Sequence, residues 1–177
     1  MPLTIPHSYR DLFIGLETST PLLDGRSCPY VNLDNAASTP ALKAVQEAIE
    51  AFLPYYSSVH RGTGFKSLLS THAYEASRQA VLSFVGADPG DHICAFGKNT
   101  TEAINKLARR FPFTPQRDVV ITTGMEHHSN DLPWRAAAHT IHIALTADGR
   151  LDEADFDAQL KRFAGQVALV AISGASN

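Results

Sequence analysis

The sequence predicts an α/β fold: a mostly parallel sheet covered by helices, behind an irregular and partly helical N-terminal arm. Three observations predict it. Through the second half, short apolar runs alternate with amphipathic segments of helical period, the rhythm of βαβ crossovers. The first thirty residues hold Pro2, Pro6, Pro21 and Pro29 and no sustained period. Several of the apolar runs end in a polar stretch, and in open α/β sheets ligands bind beyond the carboxyl ends of the strands.

The elements follow in order. The arm, residues 1–30, carries one short helix near Tyr9 to Leu16. "YVNLDNAAST" reads as a short strand entering a polar loop. Pro40 then opens a helix with Thr39 as its N-cap. Leu42, Val45, Ile49 and Phe52 form its apolar face, and Pro54 stops it. "YYSSVHRGTGFKS" is a polar, glycine-containing loop. A longer helix over Leu69 to Val85 bears the stripe Ala73, Ala76, Ala80, Val81 and Phe84. Gly86 and "DPGD" end it in a turn. Four strands follow, "HICAFG", "DVVITTG", "TIHIALT" and "VALVAIS", separated by helices in "NTTEAINKLARRF", "LPWRAAAH" and "DEADFDAQLKRFA". The last helix turns Phe156, Leu160 and Phe163 inward.

Composition narrows the function classes. The 177 residues carry a net charge of −3 and no Lys/Arg cluster, which speaks against nucleic acid as a partner. The longest clean apolar run, Val167 to Ile172, is too short to span a bilayer, so no membrane partner is expected. The N-terminus lacks the charged and apolar regions of a signal peptide. Cys28 and Cys94 form no CxxC pair, so a reduced, cytoplasmic chain is expected. The chain stops just after a strand has delivered its loop, so truncation is expected.

The strand ends hold the candidate chemistry. Gly97-Lys98-Asn99-Thr100-Thr101-Glu102 feeds a helix N-terminus, where free N–H groups and hydroxyls favour a phosphate. The plainer alternative makes Thr100 an N-cap and nothing more. No GxGxxG or GxxxxGK[ST] pattern occurs. In "VVITTGMEHHSN" a strand runs into Glu126, His127 and His128. The histidine pair could bind metal, stack on a flat ligand or cap the next helix. The other candidate ligands, His139 and His142, fall on opposite faces of a strand and cannot share an ion. No metal site is therefore expected.

Five stretches, "YVNLDNAASTP", "SSVHRG", "NTTEAIN", "GMEHHSNDLPW" and "SGASN", resemble the class V aminotransferases in order and spacing. These are pyridoxal-phosphate enzymes of fold type I, and the chain is most similar to the cysteine-desulfurase-like branch. The resemblance implies that residues 31–177 are the N-terminal, incomplete portion of a fold type I large domain. It implies pyridoxal 5′-phosphate as cofactor, a small amino-acid substrate and a homodimer at full length. Asn99, Thr100 and Thr101 match the loop that holds the cofactor phosphate, although Lys98-Asn99 departs from the family's usual Gly or Ala. His127 matches the catalytic histidine that stacks on the pyridine ring and assists proton transfer. His128 matches no such role. Asn177 matches the asparagine beside the 3′-oxygen. Asn35 and Ala36 match a loop lining the substrate side, and His60 and Arg61 a loop near the dimer's active site.

The family's Schiff-base lysine, its aspartate for the pyridine nitrogen and a desulfurase's acceptor cysteine would all fall beyond Asn177. None of Lys43, Lys66, Lys98, Lys106 and Lys161 matches the lysine position, so the chain alone is expected to be inactive. The family's first strand pairs with its last, so "HICAFG" is expected to be an unpaired edge. Desulfuration, epimerisation, elimination and transamination stay open. The alternatives are a non-catalytic pseudo-enzyme or gene remnant and, further off, a metal-binding α/β module.

Overall fold

The computed structural model describes residues 8–175. They fall into two compact units, one ending at Cys94 and one starting at Ala95.

The first unit opens on a 3-10 turn, Tyr9–Leu12, capped by the Ser8 hydroxyl, which accepts from the Arg10 N–H. The helix expected to reach Leu16 stops there because Phe13 turns extended and bridges Leu42. Two strands the sequence reading missed come next. β1 (Ser19–Pro21) and β2 (Ser27–Pro29) form an antiparallel hairpin with Thr20 opposite Cys28. Gly25, at φ 81°, supplies the left-handed position of its turn. The strand expected at "YVNLDNAAST" is a loop instead. Asn32 Oδ1 accepts from the Asp34 N–H and Asp34 Oδ1 from the Ala37 N–H, so side chains take the backbone groups a ladder would use.

α1 (Lys43–Phe52) starts later than expected, on Leu42 and with no side-chain cap. Thr39 is not its N-cap: the hydroxyl donates to Asn35 O at 2.7 Å. Pro54 does end the helix, inside a 3-10 turn, Leu53–Tyr55. α2 (Phe65–Phe84) begins at Phe65 rather than Leu69. Its first turns are held by buried Ser67 and Ser70. Ser67 Oγ donates to the carbonyls of Ser58 and Arg61, and Ser70 Oγ accepts from the Ser57 N–H. The expected stripe is not a packed face: Ala76, Ala80, Val81 and Phe84 are exposed, and Leu82 is the buried apolar residue. "HICAFG" is irregular and joins neither sheet, with Ile93 89% exposed.

The second unit is α3 (Thr100–Arg110), β3 (Val119–Thr123), a 3-10 turn His128–Asn130, α4 (Leu132–Ala137), β4 (His139–Ile143), α5 (Glu153–Arg162) and β5 (Val167–Val170). The sheet order is β4-β3-β5, with both pairings parallel. β3 is central and buried along its whole length, which is why it reads as a continuous run rather than an alternation. The two-residue period splits its contacts. Val120 packs with Ala108 of α3 and Trp134 of α4. Val119 and Ile121 pack with Ile143, Phe156, Leu160 and Phe163, so α5 faces inward as predicted. No helix among the described residues is long and apolar enough to cross a membrane.

Candidate functional site

α3 precedes β3, and the 3-10 turn that follows the carboxyl end of β3 packs against it. Asn99, not Thr100, is the N-cap: its Oδ1 accepts from the Glu102 N–H at 2.9 Å. Glu102 completes a variant of the capping box, its Oε2 accepting from the Lys98 N–H at 2.6 Å while Oε1 pairs with Lys106 Nζ at 3.2 Å. The Lys98 hydrogen bond and then Lys106 hold the Glu102 carboxyl below the usual carboxylate range. The Thr100 and Thr101 N–H groups have no acceptor among the described residues, and both side chains are exposed. That leaves a helix N-terminus with hydroxyls and free amides, a donor set suited to an anion.

The end of β3 explains the glutamate. Glu126 Oε1 accepts from Thr123 Oγ1 at 2.8 Å, and Oε2 accepts from Asn130 Nδ2 at 2.7 Å. Ser173, just past β5, donates its N–H to both oxygens (2.9 and 3.1 Å) and its hydroxyl to Oε2 at 2.6 Å. Burial pushes the Glu126 carboxyl up, but the Ser173, Asn130 and Thr123 donors outweigh it and leave it below its ordinary value. Asn130 is oriented by the same network. Its Oδ1 accepts from the indole N–H of Trp134, which can only donate, so its NH₂ must face Glu126.

His127 follows directly. It caps the 3-10 turn, its Nδ1 accepting from the Ser129 N–H at 3.1 Å and lying 2.8 Å from the Ser129 hydroxyl. An accepting Nδ1 places the neutral ring's proton on Nε2. The ring is exposed, and His128 stands 6.4 Å away at 51°, unstacked on it. The turn packs against α3, so His127 opens from an element in contact with the helix that Thr100 begins.

A second polar cluster lies behind the turn. Buried Asp131 accepts at Oδ1 from His142 Nε2 (2.7 Å) and Arg135 Nε (2.9 Å), and Arg135 Nη2 reaches Oδ2 at 2.8 Å. Burial raises the Asp131 pKa, but His142 and Arg135 together bring it below its usual value. His139 instead meets Phe163 edge-on, on the α5 side. The two β4 histidines therefore sit on opposite faces.

The remaining candidates are in the first unit. Asn35 and Ala36 lie in the turn after the Asn32 loop, and both are exposed. His60 has φ 56°, a left-handed conformation uncommon outside glycine. It is held from three sides: its N–H donates to Thr71 Oγ1 at 2.9 Å, its Nε2 is 2.7 Å from Glu75 Oε1, and its ring meets Tyr74 edge-on. Arg61 follows, its carbonyl accepting from Ser67 Oγ. Asn177 lies outside the described residues.

A family model for aminotransferase class-V matches residues 31–177. The chain belongs to the aminotransferase class-V family. As a class-V chain it is 37% identical over 153 residues to a cysteine desulfurase of Pectobacterium atrosepticum, covering 82% of this chain and 37% of that protein. It is 36% identical over 148 residues to the cysteine desulfurase of Haloferax volcanii, covering 78% and 35%. Among solved structures, the apo cysteine desulfurase of Thermococcus onnurineus superposes with a TM-score of 0.68 at 34% identity, covering 81% of this chain and 36% of that one. The chain spans a little over a third of the length of these relatives.

Sequence reading of this class-V chain placed Glu126 at the strand end but gave it no role, and it missed Asp131. A signal existed for the first: a carboxylate at a strand end with Thr three residues before and Asn four after it. Nothing local marks Ser173 as its partner, 47 residues on.

Proposed function

We propose that this chain supplies the phosphate-and-ring face of a pyridoxal-phosphate-dependent enzyme acting on a small amino acid, in the cysteine-desulfurase branch. The carrying observation is the α3 N-terminus with its free Thr100 and Thr101 amides, on a helix that packs against the turn that presents His127. Class membership and the desulfurase relatives support it. When bound, pyridoxal 5′-phosphate supplies an electron sink for bonds at the substrate's α-carbon. The residues present fit such a group. Asn99, Thr100 and Thr101 would hold a dianionic phosphate at the positive end of the helix. The exposed His127 ring would offer a flat partner to the cofactor ring and an Nε2 proton to the substrate. Asn177 serves the 3′-oxygen, and Asn35, Ala36, His60 and Arg61 serve the substrate side. The working assembly in this reading is a cytoplasmic homodimer, and the exposed apolar residues Val45, Ile49 and Leu53 support a partner surface.

The test is equilibrium dialysis of the chain with pyridoxal 5′-phosphate and, separately, with pyridoxal. The phosphorylated compound binds at least about tenfold more tightly, roughly 1.4 kcal/mol, and replacing Thr100 and Thr101 with Ala, which removes the two hydroxyls and keeps the backbone amides, narrows the difference. Equal binding of the two compounds contradicts the assignment. Borohydride treatment leaves no pyridoxyl group on any one of the five lysines; a single modified lysine, such as Lys98, contradicts the family-based reading of the lysine position.

A further inference from the structure

We propose that Glu126 is a positioning residue: its carboxylate ties the ends of β3 and β5 to the His127 turn and so fixes the orientation of the His127 ring. The relevance to a cofactor rests on the reading of His127 given above; the mechanical role does not.

Three features carry the inference. The carboxylate reaches three separate segments: Thr123 at the end of β3, Asn130 at the end of the turn and Ser173 beyond β5. Without it, each of these part-buried donors would lose its acceptor, which costs more than the net worth of a hydrogen bond. The turn it clamps is the one His127 caps. Asn130 donates its backbone N–H to His127 O at 2.8 Å and its side-chain amide to Glu126, so the two ties bracket the histidine. Inside the bracket, Ser129 holds Nδ1 and sets the tautomer. A Gln at 126 keeps the size but presents an NH₂ where the Asn130 amide and the Ser173 hydroxyl already donate, so half of the clamp becomes donor against donor. An Asp keeps the acceptors but is one methylene too short to reach every segment.

The experiment is NMR of the full chain with ¹⁵N-labelled histidine, above neutral pH, without cofactor. In the unmodified chain His127 gives the widely separated ring nitrogens of a single Nε2–H tautomer. Glu126→Gln moves His127 toward the averaged pattern of a free imidazole and speeds exchange of the Ser173 amide about tenfold or more. Glu126→Asp falls between the two. His139, on the far face of the sheet, stays unchanged. Ser173→Ala removes one donor and leaves the charge in place, and it shifts His127 the same way by less; it decides the matter if Glu126→Gln does not fold. An unchanged His127 pattern in Glu126→Gln, or in Ser173→Ala should that be the readable variant, overturns the proposal. If the pattern moves as stated but pyridoxal 5′-phosphate fails the dialysis test, the cofactor reading falls and the positioning role stands.

Discussion

The two units of the chain are built on different physics. From Ala95 onward, a strand buried on both faces gathers apolar side chains from three helices and two neighbouring strands. Up to Cys94, two helices and the 3-10 turn after the first carry apolar residues that mostly face water: Val45, Ile49, Leu53, Phe65 and Phe84 are all exposed. What orders that unit is polar, with Ser67, Ser70, Thr71 and Glu75 of α2 holding the loop before them. A hydrophobic core contributes on the order of kilocalories per buried side chain, whereas an exposed hydrogen bond or ion pair contributes about 1 kcal/mol or less. Stability should therefore reside in the second unit, alongside the α3 N-terminus and the Glu126 clamp.

The largest expected effect comes from Ile121→Ala, which opens a cavity in a fully buried site between β4 and α5. It should cost about 2–5 kcal/mol, read as a lower urea midpoint of Trp134 fluorescence. A loss below about 1 kcal/mol would mean the core relaxes around the cavity and the contrast between the units is smaller than drawn. Asp131→Asn should come next, at about 1–2 kcal/mol. It weakens ties to His142 and Arg135, and the half-exposed Arg135 rehydrates rather than being stranded.

Acid should narrow the same contrast. The carboxyls held below their ordinary values, Glu102, Glu126, Asp131 and Asp155, all lie in the second unit. A carboxyl lowered by folding binds its proton more tightly in the unfolded chain. Its stabilisation is complete above the unfolded value, about 3.9 for Asp and 4.3 for Glu. It is lost as pH falls through the lower folded value. Urea midpoints measured stepwise below about pH 4.5 should fall, and fall less steeply in Glu126→Gln. An unchanged slope would remove Glu126 from the acid response. The smallest effect belongs to Phe84→Ala. With Phe84 91% exposed, the change should stay within about 0.5 kcal/mol.

The contrast also marks what was legible in the sequence. α3, β3, α5 and β5 were readable because one face or both are at least partly buried against the local core, and burial writes periodicity into the chain. "HICAFG" and "YVNL" have the composition of strands, but strand formation depends on a ladder partner, which composition does not report. The β1–β2 hairpin was hidden by Pro21 and Pro29 at the strand ends; its signal was Asp24-Gly25 between two short extended runs. At the site, "EHHSN" announced chemistry but not architecture. Asn99 rather than Thr100 caps α3 because Asx side chains reach the third amide readily, a choice the "NTT" triplet leaves open. Glu126 escaped because its deciding partner, Ser173, is remote in sequence and adjacent only once β5 pairs with β3.

The central claim is that the second unit carries both the core and the cofactor face. It is tested most directly by amide hydrogen exchange across the whole chain, with and without saturating pyridoxal 5′-phosphate. Without it, the amides of β3 should be the slowest and those of α1 among the fast. With it, added protection should concentrate at Asn99 to Glu102 and at Glu126 to Asn130. Added protection centred on residues 8–94, or none at either stretch while dialysis shows binding, would contradict the account.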